Sequence, residues 1–303
     1  MPAPLTPEEI RDVNTRYHTC AADAYDAKWG IDWGPVGREQ VLTKIEKAMG
    51  GDLPHFGRSL EVGAGTGYFS LHMLMAGVVD DATCTDISPG MIKALRGNAD
   101  QLGLEVTTEV CDAEALPFED ESFDLVLGHA VLHHIPDLDK AFSEFFRLLK
   151  PGGFVIFAGE PSRNGDRIAQ VPKRAATTIA PAWRAALRAA PSRIGESDGG
   201  AHNHELEQHV DVHAFVPSDL EAITAGAGFE DVNVRGEELL ANWFGWTNRA
   251  LEATAAPEDV PNLWRQYAFR GYIALQKVDR SLLEGRLPAT IFYNLLLSAR
   301  RPA

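Results

Sequence analysis

The chain has 303 residues, 45% hydrophobic and 23% charged, and its 28 basic against 43 acidic side chains give a formal charge of −15. A field of that sign repels phosphate backbones, which argues against a nucleic-acid partner, and no apolar run reaches the ~18 residues that span a bilayer. The start, MPAPLTPEEIRD, lacks the apolar core of a signal peptide, and Cys20, Cys84 and Cys111 form no CxxC pair; these features predict a cytoplasmic protein with reduced thiols. From Arg58 onward, short apolar or β-branched runs alternate with helical patterns. RSLEV predicts a first strand, followed by a helix over Gly67–Ala76 that Gly77 ends. DATCTD predicts a second strand, after which Ser88 caps a helix with Pro89 at its first position. LEVTTEV and SFDLVLG read as strands three and four, Asp137 opens the helix LDKAFSEFFRLLK, and PGGFVIFAG supplies strand five. Such alternation predicts a parallel sheet covered on both faces.

The second half is looser. VPSDLEAITAGAGF contains a Ser218–Glu221 capping box, EDVNVRG reads as strand six, and TIFYNLLLSAR as the last strand. Between these pieces lie a polar insertion, Pro161–Phe215, and a helical one, Leu239–Pro288, which holds three of the six tryptophans.

LEVGAGTGYFS places Gly63, Gly65 and Gly67 at every second position of a strand-to-helix turn. The last glycine falls one residue early for the dinucleotide pattern G-x-G-x-x-G, and the G-K-[ST] of a phosphate-cradling loop is missing. Glu61, two residues before the first glycine, is awkward beside a pyrophosphate but suits a cationic amino group. Asp86 ends strand two, where a carboxylate can accept from both hydroxyls of a ribose. Asp112 ends strand three and can accept from an exocyclic adenine amine, while the Ala113 N–H donates to the ring. Ligands sit at the carboxyl ends of strands in such sheets, so the three acids converge on one crevice.

Together LEVGAGTGYFS, TDISPGMI, CDAEALPFEDESFDLVLGHAVLHHIPD and LKPGGFVIF resemble the class I S-adenosylmethionine-dependent methyltransferases, most of all the small-molecule branch that includes the quinone C-methyltransferases. The resemblance covers roughly Tyr17–Gly159, and the chain from Val216 in outline only. It implies an α/β, Rossmann-like, seven-stranded sheet of order 3-2-1-4-5-7-6 with an antiparallel last strand and helical insertions. It also implies S-adenosyl-L-methionine as cofactor, held by Glu61, Gly63, Ala64, Gly65, Gly67, Asp86, Ile87, Met91, Asp112, Ala113 and the backbone at Gly128 or His129. AADAYDAKWG resembles the family's N-terminal helix, whose aromatic residue closes over the cofactor; Tyr25 holds that place, with Tyr17 about two turns earlier. On this reading residues 1–39 form a helical cap and 40–160 the cofactor core. Residues 161–215 are a lid, 216–238 a core helix and strand, 239–289 an aromatic acceptor pocket, and 290–303 the final strand. The two insertions depart from the quinone enzymes, so their substrate does not carry over.

Methyl transfer from a sulfonium is an in-line displacement, in which the protein aligns the nucleophile and excludes water. A general base helps when the acceptor is a hydroxyl or protonated amine, and histidine suits neutral pH. His133 or His134, after strand four, could serve, with His133 preferred by resemblance; a loop-shaping hydrogen bond is the competing reading. In AHNHELEQHVDVHAF, with His202, His204, His209 and His213, the last two are expected to touch substrate, against the competing reading of a plain polar loop. They match no familiar zinc signature, and no metal is expected. Trp243 and Trp246 are expected to line the acceptor pocket, against plain core packing. The expected partner is a small apolar or aromatic acceptor. A lipid or polyketide-like acceptor, a nicotinamide-dependent oxidoreductase and a catalytically silent cofactor-binding module are the alternatives.

Overall fold

The computed structural model describes residues 5–192, 210 and 212–303. Strands β1 (Phe56–Val62), β2 (Val79–Asp86), β3 (Thr107–Val110), β4 (Phe123–His129) and β5 (Leu149–Pro161) pair in parallel. With β6 (Glu230–Glu237) and β7 (Asn294–Arg300) they form a seven-stranded sheet of order β3-β2-β1-β4-β5-β7-β6 whose last strand is antiparallel, as the resemblance implies. The central strands are continuous apolar runs because helices cover both faces: Leu60, Leu125, Val126, Leu127, Val155 and Phe157 are all buried. The order reverses between β1 and β4, so the crevice of an open parallel sheet opens at their carboxyl ends.

Local chemistry sets the helix limits. Ser88 accepts from the Met91 N–H at 3.2 Å to start α5 (Pro89–Leu102), and Asp137 accepts from the Lys140 N–H at 3.0 Å to start α6 (Leu138–Leu148). Ahead of the sheet, Thr6 and Glu9 close a capping box on α1 (Pro7–Ala21), which is followed by α2 (Tyr25–Trp29) and α3 (Pro35–Met49); α4 (Tyr68–Met75) follows β1. Two expectations need correction. The third strand is shorter than LEVTTEV suggests, an edge element with one neighbour. The helix here labelled α8 (Pro217–Gly226) starts earlier than a Ser218–Glu221 box would allow: Val216 is its N-cap and Pro217 its first residue, and the Val216 N–H is met by Asp219 at 3.4 Å.

The described residues fall into two compact units, one within Met1–Glu160, Asn203–Val234 and Leu296–Ala303, the other within Pro161–His202 and Arg235–Leu295. In the second unit α7 (Arg163–Leu187) is a 25-residue helix despite Pro172 and Pro181 in its interior. Its buried face is small, with Ala169, Ala176 and Ala180, and packs on Leu251 of α9 (Leu240–Glu252). The Asp279 carboxylate, fully buried just after α10 (Asn262–Val278), accepts from the Leu240 and Ala241 N–H groups at 3.0 and 2.9 Å. It places a negative charge on the positive end of α9.

Candidate functional site

The turn after β1 gives its three glycines different work. Gly63 has φ +62°, and a Cβ there would lie 2.2 Å from Val131 Cγ2, so it is glycine for packing. Gly65, at φ +54°, would meet nothing within 4 Å. That open space lies over a bare stretch of backbone, the condition for close approach by a ligand. Gly67, at φ +90°, is the N-cap of α4. Asp86 binds this turn to the next: its two oxygens accept from Gly65 N–H at 2.9 Å and Ser88 N–H at 2.8 Å. Burial pushes the Asp86 carboxyl up to about 6, against the lowering effect of those two bonds. Glu61 is deeper, accepts from the Ser70 N–H at 2.9 Å, and is pushed up to about 7, again by burial. Ala64 and Met91 are buried, and Ile87 is half-buried. Thr66 Oγ1 is buried in the same turn without a hydrogen-bond partner among the described residues.

Tyr25 stands in the field of Asp86: burial first, and that carboxylate second, push its phenol up to about 12. Tyr17 is buried and accepts from Lys28 Nζ at 3.3 Å. Asp112 differs from expectation in two respects: it lies two residues beyond β3, which ends at Val110, and its carboxylate is already engaged. Its Oδ1 accepts from the Glu114 N–H at 3.0 Å, and Arg11 of α1 pairs with its Oδ2 at 2.6 Å while also binding Glu114. Arg11 lies about a hundred residues upstream and has no local signal. Ala113 is half-buried beside this pair.

At the end of β4, Gly128 is buried against Phe157 and Val131, and the His129 ring stacks on Phe69 with centroids 4.6 Å apart. Ala130 then takes φ +51°, a costly conformation for a residue with a Cβ. The next turn is organised by Glu160, a fully buried carboxylate at the end of β5. Its Oε1 accepts from the Val131 and Leu132 N–H groups at 2.9 and 3.0 Å, and its Oε2 from the His133 N–H at 3.2 Å; His133 Nδ1 lies 2.8 Å from Oε2. A carboxylate accepts only, so Nδ1 carries the proton of that bond. The His134 ring lies tilted against that of His133 with centroids 3.9 Å apart, and its Nδ1 donates to the Val210 carbonyl at 3.1 Å. Burial, then the neighbouring His133, hold His134 well below the usual histidine range. His18 of α1 packs on His134 and is lowered to about 4, mainly by burial. Sequence reasoning missed Glu160 and His18: each meets the histidines only through the fold.

His213 Nε2 bonds the Ile135 carbonyl at 3.0 Å, while His202, His204 and His209 lie outside the described residues. In the second unit Trp243 is half-buried, and Trp246 packs on Tyr293 with Lys173 Nζ 4.2 Å from its ring centroid. Among the described residues no group of three or more metal-ligating side chains gathers, and no helix is long and apolar enough to cross a membrane.

The open face of Gly65, the unpartnered Thr66 hydroxyl and two buried carboxylates at adjoining strand ends suit a nucleoside that carries an ammonium. The wider comparisons agree. Residues 60–157 match the model of a methyltransferase domain. The chain is 31% identical over 241 residues to a malonyl-[acyl-carrier protein] O-methyltransferase of Methylococcus capsulatus, covering 73% of this chain and 78% of that protein. It is 31% identical to a ubiquinone/menaquinone biosynthesis C-methyltransferase of Brucella canis, over 58% of this chain and 63% of the relative. The fold superposes, with a TM-score of 0.60 at 18% identity, on a Haemonchus contortus phosphoethanolamine N-methyltransferase 2 solved with S-adenosylhomocysteine, covering all of this chain and 62% of that one. The chain therefore belongs to the class I S-adenosylmethionine-dependent methyltransferases.

Proposed function

We propose that this enzyme methylates a small acceptor through a hydroxyl or amine that His133 deprotonates. The observation that carries this reading is the 2.8 Å contact between His133 Nδ1 and the buried Glu160 carboxylate. With the Nδ1 proton held there, the basic nitrogen of the ring is Nε2, the arrangement a general base requires. Glu160 also binds three successive backbone N–H groups, so the imidazole is fixed relative to the end of β4.

When bound, S-adenosylmethionine supplies an electrophilic methyl group on a sulfonium. Glu61 would take its ammonium, Asp86 its ribose, and the backbone of Gly65 its close approach. Tyr25, half-buried beside Asp86, would cover this end of the crevice and exclude water. Asp112 keeps its adenine role in this reading, with Arg11 fixing the carboxylate. His134, neutral and donating to a carbonyl, positions its neighbour and leaves the proton transfer to His133. A cytoplasmic setting and an apolar or aromatic acceptor complete the proposal, the latter from the aromatic content of the segment between Leu239 and Pro288.

The test is a metabolite screen by mass spectrometry for a product heavier by one methyl group, followed by kinetics of His133→Ala. Turnover should fall by roughly 10²–10⁴-fold, with calorimetric affinity for S-adenosylhomocysteine little changed. Activity that survives within a few-fold removes the base.

A further inference from the structure

Helix α2, which carries Tyr25, is five residues long, and none of them is fully buried. So short a helix does not hold itself in water, and its position comes from contacts outside it. Lys28 reaches back to Tyr17 of α1, whereas Asp26 reaches the cofactor core. The Asp26 Oδ2 accepts from Trp33 Nε1 at 3.1 Å and from Asn98 Nδ2 at 3.2 Å. The same Asn98 amide nitrogen donates to the Thr66 carbonyl of the glycine turn at 3.1 Å.

Both partners are fixed from elsewhere. The Trp33 ring stacks on His72 of α4 with centroids 5.5 Å apart and meets Tyr68 edge-on at 5.9 Å. His72 is fully buried and its Nε2 bonds the Asp32 carbonyl at 3.0 Å. The Asp32 carboxylate in turn accepts from the Gly34 and Gly37 N–H groups at 3.0 and 2.9 Å. Asn98 belongs to α5, the helix that Ser88 caps beside Asp86. One carboxylate therefore ties the Tyr25 helix to the helices after β1 and β2 and, through Asn98, to the turn itself. Its second oxygen, Oδ1, is buried without a hydrogen-bond partner among the described residues. Leaving that oxygen dry costs free energy that water would return if the helix swung out, which keeps the closed arrangement releasable.

We propose that Asp26 is the positioning residue for Tyr25, resting on the reading above that Tyr25 covers the cofactor. Through Asn98 and Trp33 it latches α2, and with it the adjacent Tyr25, against the glycine turn; breaking either bond lets the cofactor leave faster. The charge of Asp26 suits this work, since hydrogen bonds to a carboxylate are stronger than neutral ones. Asn98 couples the two sides. Its one amide nitrogen serves both Asp26 and Thr66, so a displaced turn and a displaced α2 disturb the same group.

The experiment is the dissociation rate of radiolabelled S-adenosylhomocysteine, chased with the unlabelled compound, from the full chain. Asn98→Ala and Trp33→Phe, the latter deleting the indole donor while keeping a ring on His72, should each speed dissociation by roughly three- to tenfold. Association rates should change little. Tyr25→Ala should speed dissociation as well, and adding either change to Tyr25→Ala should have no further effect, because the latch acts only through that ring. A mere packing defect would instead lower the melting temperature and add its cost to that of Tyr25→Ala. Cooperative melting certifies each variant as folded, and Trp33→Phe carries the test if Asn98→Ala does not fold. Unchanged dissociation in Tyr25→Ala withdraws the cover and the latch together. Faster dissociation in Tyr25→Ala beside native rates in the folded latch variants, or additive effects in the double variants, overturns the latch alone.

Discussion

At Glu61 and Asp86 burial opposes the charged form of each carboxyl. The Glu61 carboxyl titrates at about 7 in the folded chain against an ordinary 4.5, because burial penalises its charged form. The folded state therefore holds this proton more tightly than the unfolded one. The stability it contributes is complete below about pH 4.5 and is lost as pH rises through about 7, on the order of 3 kcal/mol in all. Glu61→Gln should flatten that part of a stability–pH curve measured by urea unfolding. The cationic amino group of the cofactor needs the ionised form. Affinity for S-adenosylhomocysteine should accordingly rise between about pH 6 and about pH 8 in the native chain, and not in Glu61→Gln. At Asp86, replacement by alanine should weaken cofactor binding by roughly 1.5–3 kcal/mol, the range for hydrogen bonds to a charged group; unchanged affinity in a folded variant would remove it from the site. For Glu160, a positioning residue, Glu160→Gln keeps the shape but leaves the His133 tautomer unspecified. It should lower turnover far more than cofactor affinity, and Glu160→Gln with His133→Ala should cost little more than His133→Ala alone, since the two act as one unit.

At the scale of elements, α1 is the piece whose work exceeds its sequence signal. It carries Arg11 to Asp112 and Glu114, Asn14 to the Val210 carbonyl, and His18 to His134. Glu114 is buried and also accepts from the Asp137 N–H at 3.0 Å. Removing the guanidinium leaves that carboxylate without its main counter-ion, so Arg11→Ala should destabilise the fold by roughly 3–5 kcal/mol, read as a lower denaturation midpoint with unchanged slope. What was legible beforehand followed the same division between local and distant. The caps at Ser88 and Asp137, the glycine turn and the strand end at Asp86 are written in residues a few positions apart, whereas Asp112 falls two residues past the end of β3. Glu160 with His133 and Arg11 with Asp112 are set by strand order and helix crossing, which no local pattern encodes. Helix α7 was hidden for another reason. Pro172 and Pro181 each delete a backbone donor and argue for a break, yet its buried alanines let it pack closely enough on α9 to persist.

For the molecule as a whole, the residues proposed to hold the cofactor, from Tyr17 to His129, all lie in the first unit, while α9 and α10 belong to the second. That division makes binding separable by location as well as by affinity. A ligand that binds only the native state stabilises it by about 2.7 kcal/mol at a hundred times its dissociation constant, which corresponds to a rise of roughly 5–10 °C in Tm for a chain of this size. S-adenosylhomocysteine should produce such a rise and NAD should not, because the glycine turn lacks the third glycine position of a pyrophosphate site. Hydrogen exchange locates the effect. Amides of Gly63–Phe69 and Ser88–Met91, which surround the open face of Gly65 and the Asp86 carboxylate, should slow on adding S-adenosylhomocysteine. Amides of α9 and α10 should keep their rates apart from any common change in global stability. An equal shift with NAD would restore the oxidoreductase reading. Protection concentrated in α9 and α10 would move the cofactor to the second unit and take Glu61, Gly65 and Asp86 out of the site together.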